Sequence, residues 1–253
     1  MSLGRRKVGL DDQSRWVFNR MADVYPARPP YPAPLLDALA KLAPATGRVA
    51  DLGAGVGHIA LPLAARGFDV TAIEPASSML AELTAAANRY GLAVRTHHAA
   101  AEALPLATGS QDLVVVADAL HFLDAELSAR EIARVLAPGG ALAVITCHFA
   151  DTPYMRAVTR VINDAVPRRP RPLTGNLIHL SALAGVPFTD ERQFYDDTPV
   201  DPPTLERILR SISFIGPAMN PPRFEHFRAR VNALSGPAIW GRRFVMRAGH
   251  RRP

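Results

Sequence analysis

The run Val49-Ala50-Asp51-Leu52-Gly53-Ala54-Gly55-Val56-Gly57-His58-Ile59-Ala60 constrains this chain more than any other stretch. Its first four residues predict a short buried strand, and three glycines at alternate positions predict a tight turn that feeds a helix. Lacking Cβ atoms, such a turn lets a ligand approach the main chain while the helix behind it points its first amides at the same place. Glu74 stands at the end of the next predicted strand, Phe68–Ile73, where a carboxylate can accept hydrogen bonds from both hydroxyls of a ribose. Two other nucleotide-binding schemes are disfavoured. The dinucleotide fingerprint needs a small residue at the sixth position of G-x-G-x-x-G, which here is His58, and no G-x-x-x-x-G-K followed by Ser or Thr occurs in the chain.

Strand and helix then alternate. Ser77 to Tyr90 predicts a helix with Met79, Leu80, Leu83 and Ala87 on one face, Ala93–His97 a strand, and Ala101–Leu106 a loop. His97 and His98 are neighbours on or beside a strand and so face opposite ways, which makes them a poor ligand pair. Asp112–Ala117 is an apolar run with an acidic start, the mark of a central strand buried on both faces. Asp118-Ala119-Leu120-His121-Phe122 follows at its carboxyl end, where ligands sit in open α/β sheets. Glu126 to Ala137 predicts a helix, Pro138-Gly139-Gly140 a break, and Ala141–Thr146 a fifth strand.

The flanks are less regular. Residues 11 to 25 predict a helix, with Asp11 and Asp12 as N-caps and Trp16, Val17, Arg20, Met21 and Tyr25 at helical intervals. A proline-rich stretch, Tyr25 to Pro32, separates it from a helix beginning at Pro34. After residue 150 prolines become frequent, around Tyr154–Val166 and Pro167–Pro172, which predicts an inserted substrate cap. Phe188–Tyr195 and Ile239–Met246 supply the last two strands, with Pro202–Ser213 and Arg223–Leu234 as helices between them. The expected organisation is one domain: lid helices over 1–45, a cofactor-binding core over 46–150, a cap with a late sixth strand over 151–235, and the last strand and tail over 236–253.

Asp51-x-Gly53-x-Gly55-x-Gly57 resembles the first motif of the class I S-adenosylmethionine-dependent methyltransferases. Tyr25-Pro26-Ala27-Arg28-Pro29-Pro30-Tyr31-Pro32 is similar to a segment ahead of the glycine loop in bacterial small-molecule members, Ala101-Glu102-Ala103-Leu104-Pro105 to their A-E-x-L-P loop, and Ala119-Leu120-His121-Phe122 to their A-L-H-W turn, with Phe for Trp. Ile208–Phe214 and Trp240–Phe244 extend the likeness, which is strong to residue 147 and looser beyond. The resemblance implies an α/β, Rossmann-like, seven-stranded, mostly parallel sheet with helices on both faces, an N-terminal helical lid and a helical cap after the fifth strand. It implies that Asp51, Gly53, Ala54, Gly55 and Gly57 hold the methionine end of S-adenosyl-L-methionine. Glu74, flanked by Pro75 and Met79, holds the ribose, and Ala101 and Glu102 bound the adenine. Ala117 ends the central strand, and Tyr25, Arg28 and Tyr31 close over the ligand or form a stiff aromatic linker. A sulfonium methyl is already activated, so alignment of the acceptor is the main task. Where the acceptor must lose a proton, His121 and His148 are the candidate bases by location, and each can equally be shaping the pocket.

Composition bounds the partners. At 253 residues and 48% hydrophobic content the chain suits one α/β domain. No apolar run approaches the roughly 20 residues of a membrane span, and the basic start, Met1 to Lys7, has no apolar run behind it, which predicts a cytoplasmic protein. A single cysteine, Cys147, allows no internal disulfide, and without metal-ligand spacings no metal is expected. The net charge of +6 comes from scattered arginines, with Lys7 and Lys41 the lysines, a pattern that reads as GC-rich coding bias rather than a nucleic-acid footprint. The N-P-P-Y of base-amine methylation is missing after the fourth strand, and Asn220-Pro221-Pro222-Arg223 lies too late in the chain to replace it. The reading is methyl transfer to a small organic acceptor, in secondary metabolism by family analogy. An RNA or DNA methyltransferase and a non-catalytic cofactor-binding protein are the alternatives.

Overall fold

The computed structural model describes residues 17–166 and 173–252, with backbone alone for 173–176. Seven strands form one sheet: β1 (Arg48–Leu52), β2 (Asp69–Ile73), β3 (Val94–His97), β4 (Gln111–Ala117), β5 (Leu136–Phe149), β6 (Asp190–Pro199) and β7 (Ile239–His250), in the order β3-β2-β1-β4-β5-β7-β6. β1 to β5 pair in parallel, whereas β7 runs antiparallel to both its neighbours, β5 and β6. The sheet is the seven-stranded, mostly parallel, Rossmann-like one expected.

Central β4 shows why its run is uniformly apolar. Leu113 and Val115 face α1 (Ala33–Ala40) and α2 (Ala60–Ala65), while Val114 and Val116 face α4 (Ala125–Val135), and all four are fully buried. Each such side chain contributes roughly 1.5 to 3 kcal/mol of apolar burial. α3 (Ser77–Tyr90) joins the first face through Leu83 and ends at Gly91, whose φ of 64° is the left-handed conformation that stops a helix. α4 starts at Asp124, whose Oδ1 accepts from the amides of Glu126 and Leu127, both at 3.0 Å.

The structure departs from expectation in three places. The helix expected over 11–25 ends at Asn19 in its described part and continues as turns into a 3-10 turn, Tyr25–Ala27. Pro26 lacks an amide, and in a continued helix its ring would crowd the carbonyl of Ala22. The N-caps Asp11 and Asp12, like the arginines of 167–172, lie outside the described residues. Pro138-Gly139-Gly140 does not separate helix from strand: α4 ends at Val135, and β5 already pairs at Leu136 with Gln111 before a register shift. A helix not anticipated, α6 (Leu173–Ala184), lies within the expected cap, yet Leu177, Leu180 and Ala184 pack on the sheet with Ile132 of α4.

The remaining helices of the 151–235 stretch, α5 (Pro153–Ala165), α7 (Pro202–Arg210) and α8 (Pro221–Asn232), form their own core around Phe224, Phe227, Leu209 and Trp240. Asn220 of the late N-P-P-R sequence is the N-cap of α8, accepting from the Arg223 amide at 3.0 Å.

Candidate active site

A cavity of about 1480 Å³ opens at the carboxyl ends of β1, β2, β4 and β5, lined also by the strap over residues 25–31 and by α5 and α7. It gathers every residue singled out in the sequence except Gly57. Gly53, at φ 70°, has no room for a Cβ, which would stand 2.6 Å from that of Ala119. Gly57 is a packing glycine instead: at φ 93°, its Cβ would stand 2.9 Å from Leu61 Cγ and 3.0 Å from Leu83 Cγ. The turn therefore reaches the cavity with Gly53, Ala54 and Gly55, and α2 begins only at Ala60.

Two carboxylates anchor this half. Glu74 Oε2 accepts from the Gly55 amide and Oε1 from the Ala76 amide, both at 2.8 Å, which fixes the side chain across the base of the turn. Asp51 is 2% exposed, and its Oδ2 has no hydrogen-bond partner among the described residues. Burial pushes its pKa up to about 7, against the Ala60 amide that favours the anion. Met79 is buried beneath, Pro75 and Ala117 line the wall, and Ala101 and Glu102 close the far side, where Glu102 Oε1 accepts from the Asp124 amide at 2.8 Å.

The strap is tied to distant parts of the chain. Arg28 donates through Nε and Nη2 to Oγ and the carbonyl of Ser211, at 2.9 and 2.7 Å, and through Nη1 to the Tyr25 hydroxyl at 3.1 Å. Tyr25 stacks on His58 with centroids 5.9 Å apart, and Tyr31 packs against Phe244 at 5.2 Å. Arg242, 7% exposed, donates to the carbonyls of Pro29 and Pro30 at 2.8 and 2.7 Å and pairs with Asp196.

The family of the Methyltransferase domain matches residues 50–144, which span the strand, turn and central sheet just described. The chain belongs to the class I S-adenosylmethionine-dependent methyltransferases. It is 42% identical over 146 residues to an uncharacterised methyltransferase of Mycobacterium tuberculosis, covering 57% of this chain and 55% of that one. It is 35% identical over 173 residues to the malonyl-(acyl-carrier protein) O-methyltransferase of Enterobacter lignolyticus, covering 67% and 66%. The chain thus spans about half the length of the first of these relatives. The crystal structure of the cyclase SpnF shares the fold, with a TM-score of 0.62 at 19% identity over 95% of this chain and 97% of that one.

Several cavity residues carried no sequence signal of their own. Asp118 follows β4 at φ 52°, a conformation Asp tolerates better than most side chains, and its Oδ1 accepts from the Cys147 amide at 2.7 Å. Burial pushes its pKa up to about 6, opposed by that amide and by Arg28 and Arg242. Burial also pushes His58 down to about 4, so its ring is neutral at physiological pH. Arg242 could not be found by local reading, because its strap partner Pro30 lies 212 residues away. Of the two candidate bases, His121 sits in the 3-10 turn Leu120–Phe122 with its ring 3.8 Å from that of Phe122. His148 is on β5, 3.2 Å from Thr146 Oγ1, and burial, with Arg243 and Arg247, holds its pKa below the ordinary value. The Cys147 thiol is pushed up by burial and by Asp118, which keeps it protonated and a poor nucleophile. Among the described residues no group of His, Cys, Asp and Glu could hold a metal, and no helix is long and apolar enough to cross a membrane.

Proposed function

We propose that this chain transfers the methyl group of S-adenosylmethionine to a small organic acceptor. The observation that carries the reading is the unpaired Asp51 Oδ2 at the foot of the glycine turn. A buried acceptor atom left without a donor is costly, and a cationic donor such as the methionine ammonium offsets that cost. The residues present fit the cofactor: Asp51, Gly53, Ala54 and Gly55 for its methionine end, Glu74 beside Pro75 and Met79 for the ribose, Ala101 and Glu102 for the adenine. When bound, it supplies a methyl group activated by a sulfonium.

This chain's own part is to hold, enclose and align. Tyr25, Arg28 and Tyr31 keep water from the reacting centre, and Ala117 with Asp118 walls the place where the acceptor meets the methyl. His121 takes the proton of an acceptor that must lose one, with His148 as the second candidate. The acceptor is a small molecule of secondary metabolism, the protein works in the cytoplasm, and residues 151–235 apart from α6 serve as the substrate cap. Malonyl-(acyl-carrier protein) methylation by a relative supports O-methylation among the reactions open to it.

Calorimetry with S-adenosylmethionine tests the reading, with binding expected at micromolar strength. Glu74→Ala should weaken it by roughly 1.5 to 3 kcal/mol, the range for hydrogen bonds to a charged group. Wild-type protein that ignores this cofactor and takes up NAD overturns the proposal. Transfer of labelled methyl to RNA rather than to a metabolite extract overturns the small-molecule acceptor.

A further inference from the structure

Charge is spread unevenly over the cavity. Its glycine-turn side carries the carboxylates Asp51, Glu74 and Glu102, with Asp118 at the end of β4 and Asp151 beyond β5, whereas arginines line it from the strap, α5 and β7. Three of those are committed: Arg28 to Ser211, Arg242 to Asp196 and the strap, and Arg156 to Asp151 at 2.8 Å. The other two, Arg160 and Arg243, have neither a carboxylate nor a carbonyl partner among the described residues, yet both line the cavity.

α5 and this end of β7 each bring one of them into the wall of the cavity. Arg160 lies one turn beyond Arg156 on the same face of α5. Arg243 is on β7 opposite His148 of β5, and α5 packs on this end of β7, where Met155 Cγ would meet a Gly241 Cβ at 3.4 Å. Beside them the wall is apolar: Phe149 and Trp240 meet edge to face with centroids 5.3 Å apart, and Ile208 and Ile212 of the cap lie alongside. A guanidinium that faces a cavity without a counter-charge gains most from a planar anion, which it can bind through two parallel hydrogen bonds.

We propose that Arg160 and Arg243 recognise the acceptor through an anionic group, a carboxylate or a phosphate, carried on an apolar body that packs on Phe149 and Trp240. This rests on the methyl-transfer reading and deepens it. A cationic cofactor and an anionic acceptor are each matched to their own side of the cavity, so neither enters the other's side without leaving its counter-charge.

The test uses protein saturated with S-adenosylhomocysteine and four probes on one skeleton: phenylbutyrate, phenylbutyl phosphate, phenylbutanol and phenylbutylamine. By calorimetry at least one of the two anions should bind about tenfold or more tighter than the alcohol and the amine, and which anion is tighter separates the two sources of charge. Arg160→Gln alone, and with Arg243→Gln, should erode that preference while S-adenosylhomocysteine affinity is retained. Equal binding of all four probes, binding of none, tightest binding of the amine, or an unchanged preference in the double variant overturns the proposal. Failure of the wild type to bind S-adenosylhomocysteine overturns the methyl-transfer reading itself, and is measured separately.

Discussion

Asp51 is the side chain whose ionisation most directly reports on the ligand. Its pKa in the folded protein is about 7 against an ordinary 3.8. A raised carboxylate means that the folded state holds its proton longer than the unfolded state. The free protein therefore loses stability as pH rises between about 4 and 7, and carries the whole penalty above 7. A cation seated against Oδ2 favours the anion, so binding should release a proton and affinity should rise from about pH 5.5 to 8, with Asp118, near 6, the other acid in that window. Calorimetry in buffers of different ionisation enthalpy reads the proton directly. Asp51→Asn should remove most of the effect, and a flat profile in the wild type would separate Asp51 from the cationic end of the ligand. His121 is tested by turnover once an acceptor is in hand. As a base it should cost roughly 100-fold on substitution by Ala with cofactor affinity intact, whereas His121→Asn retaining most activity would assign it to the pocket wall. These residues were legible because their signals are local, a glycine spacing and the end of a strand. Asp118 was quoted only as part of a turn, since nothing in a sequence distinguishes a left-handed Asp from an ordinary one.

Among the elements, the strap over residues 25–31 depends most on distant partners. Its two anchors, Ser211 and Arg242, are separated from it by 183 residues in one case and more than two hundred in the other, so no window of sequence contains both sides of either contact. Arg242→Met keeps the bulk but leaves Asp196 and two proline carbonyls without their donor. Arg242 is buried but Asp196 only partly so, and loss of the donor predicts a cost of about 2 kcal/mol, to be read by urea unfolding. Cofactor binding should slow amide exchange at Ala27, Arg28 and Tyr31; unchanged exchange there, beside protection of the glycine turn, would detach the strap from the ligand. Gly57→Ala isolates packing from binding, because Leu61 and Leu83 crowd the position outside the cavity. It should lose roughly 1 to 3 kcal/mol of stability, and no cofactor affinity beyond that.

Across the whole molecule, the alternation from Val49 to Thr146 was readable because β1, β2 and β4 are short, largely apolar strands, each leading through a turn into a helix. α6 was not: Ile178 and Leu183 are exposed while Leu177 and Leu180 are buried, so apolar residues surround the helix and blur its stripe. The distribution of charge in the cavity was hidden for a related reason, since its arginines are spread over the strap, α5 and β7 and look random along the chain. β7 has one more consequence, and it concerns time. β6 precedes β7 in sequence but pairs only with it, so during synthesis β6 waits without a neighbour until some fifty residues later the strand between it and β5 is complete. The pairing of β5 with β7, which fills that gap, is the most non-local in the sheet, and non-local pairings form slowly. The glycine turn and the carboxylates carried by β1 and β2 can thus be assembled while the wall that holds Arg242 and Arg243 is still unmade. In refolding followed by pulsed hydrogen exchange, amides of β1 and β4 should gain protection before those of β6, and the reverse order would show that the sheet nucleates from its antiparallel edge.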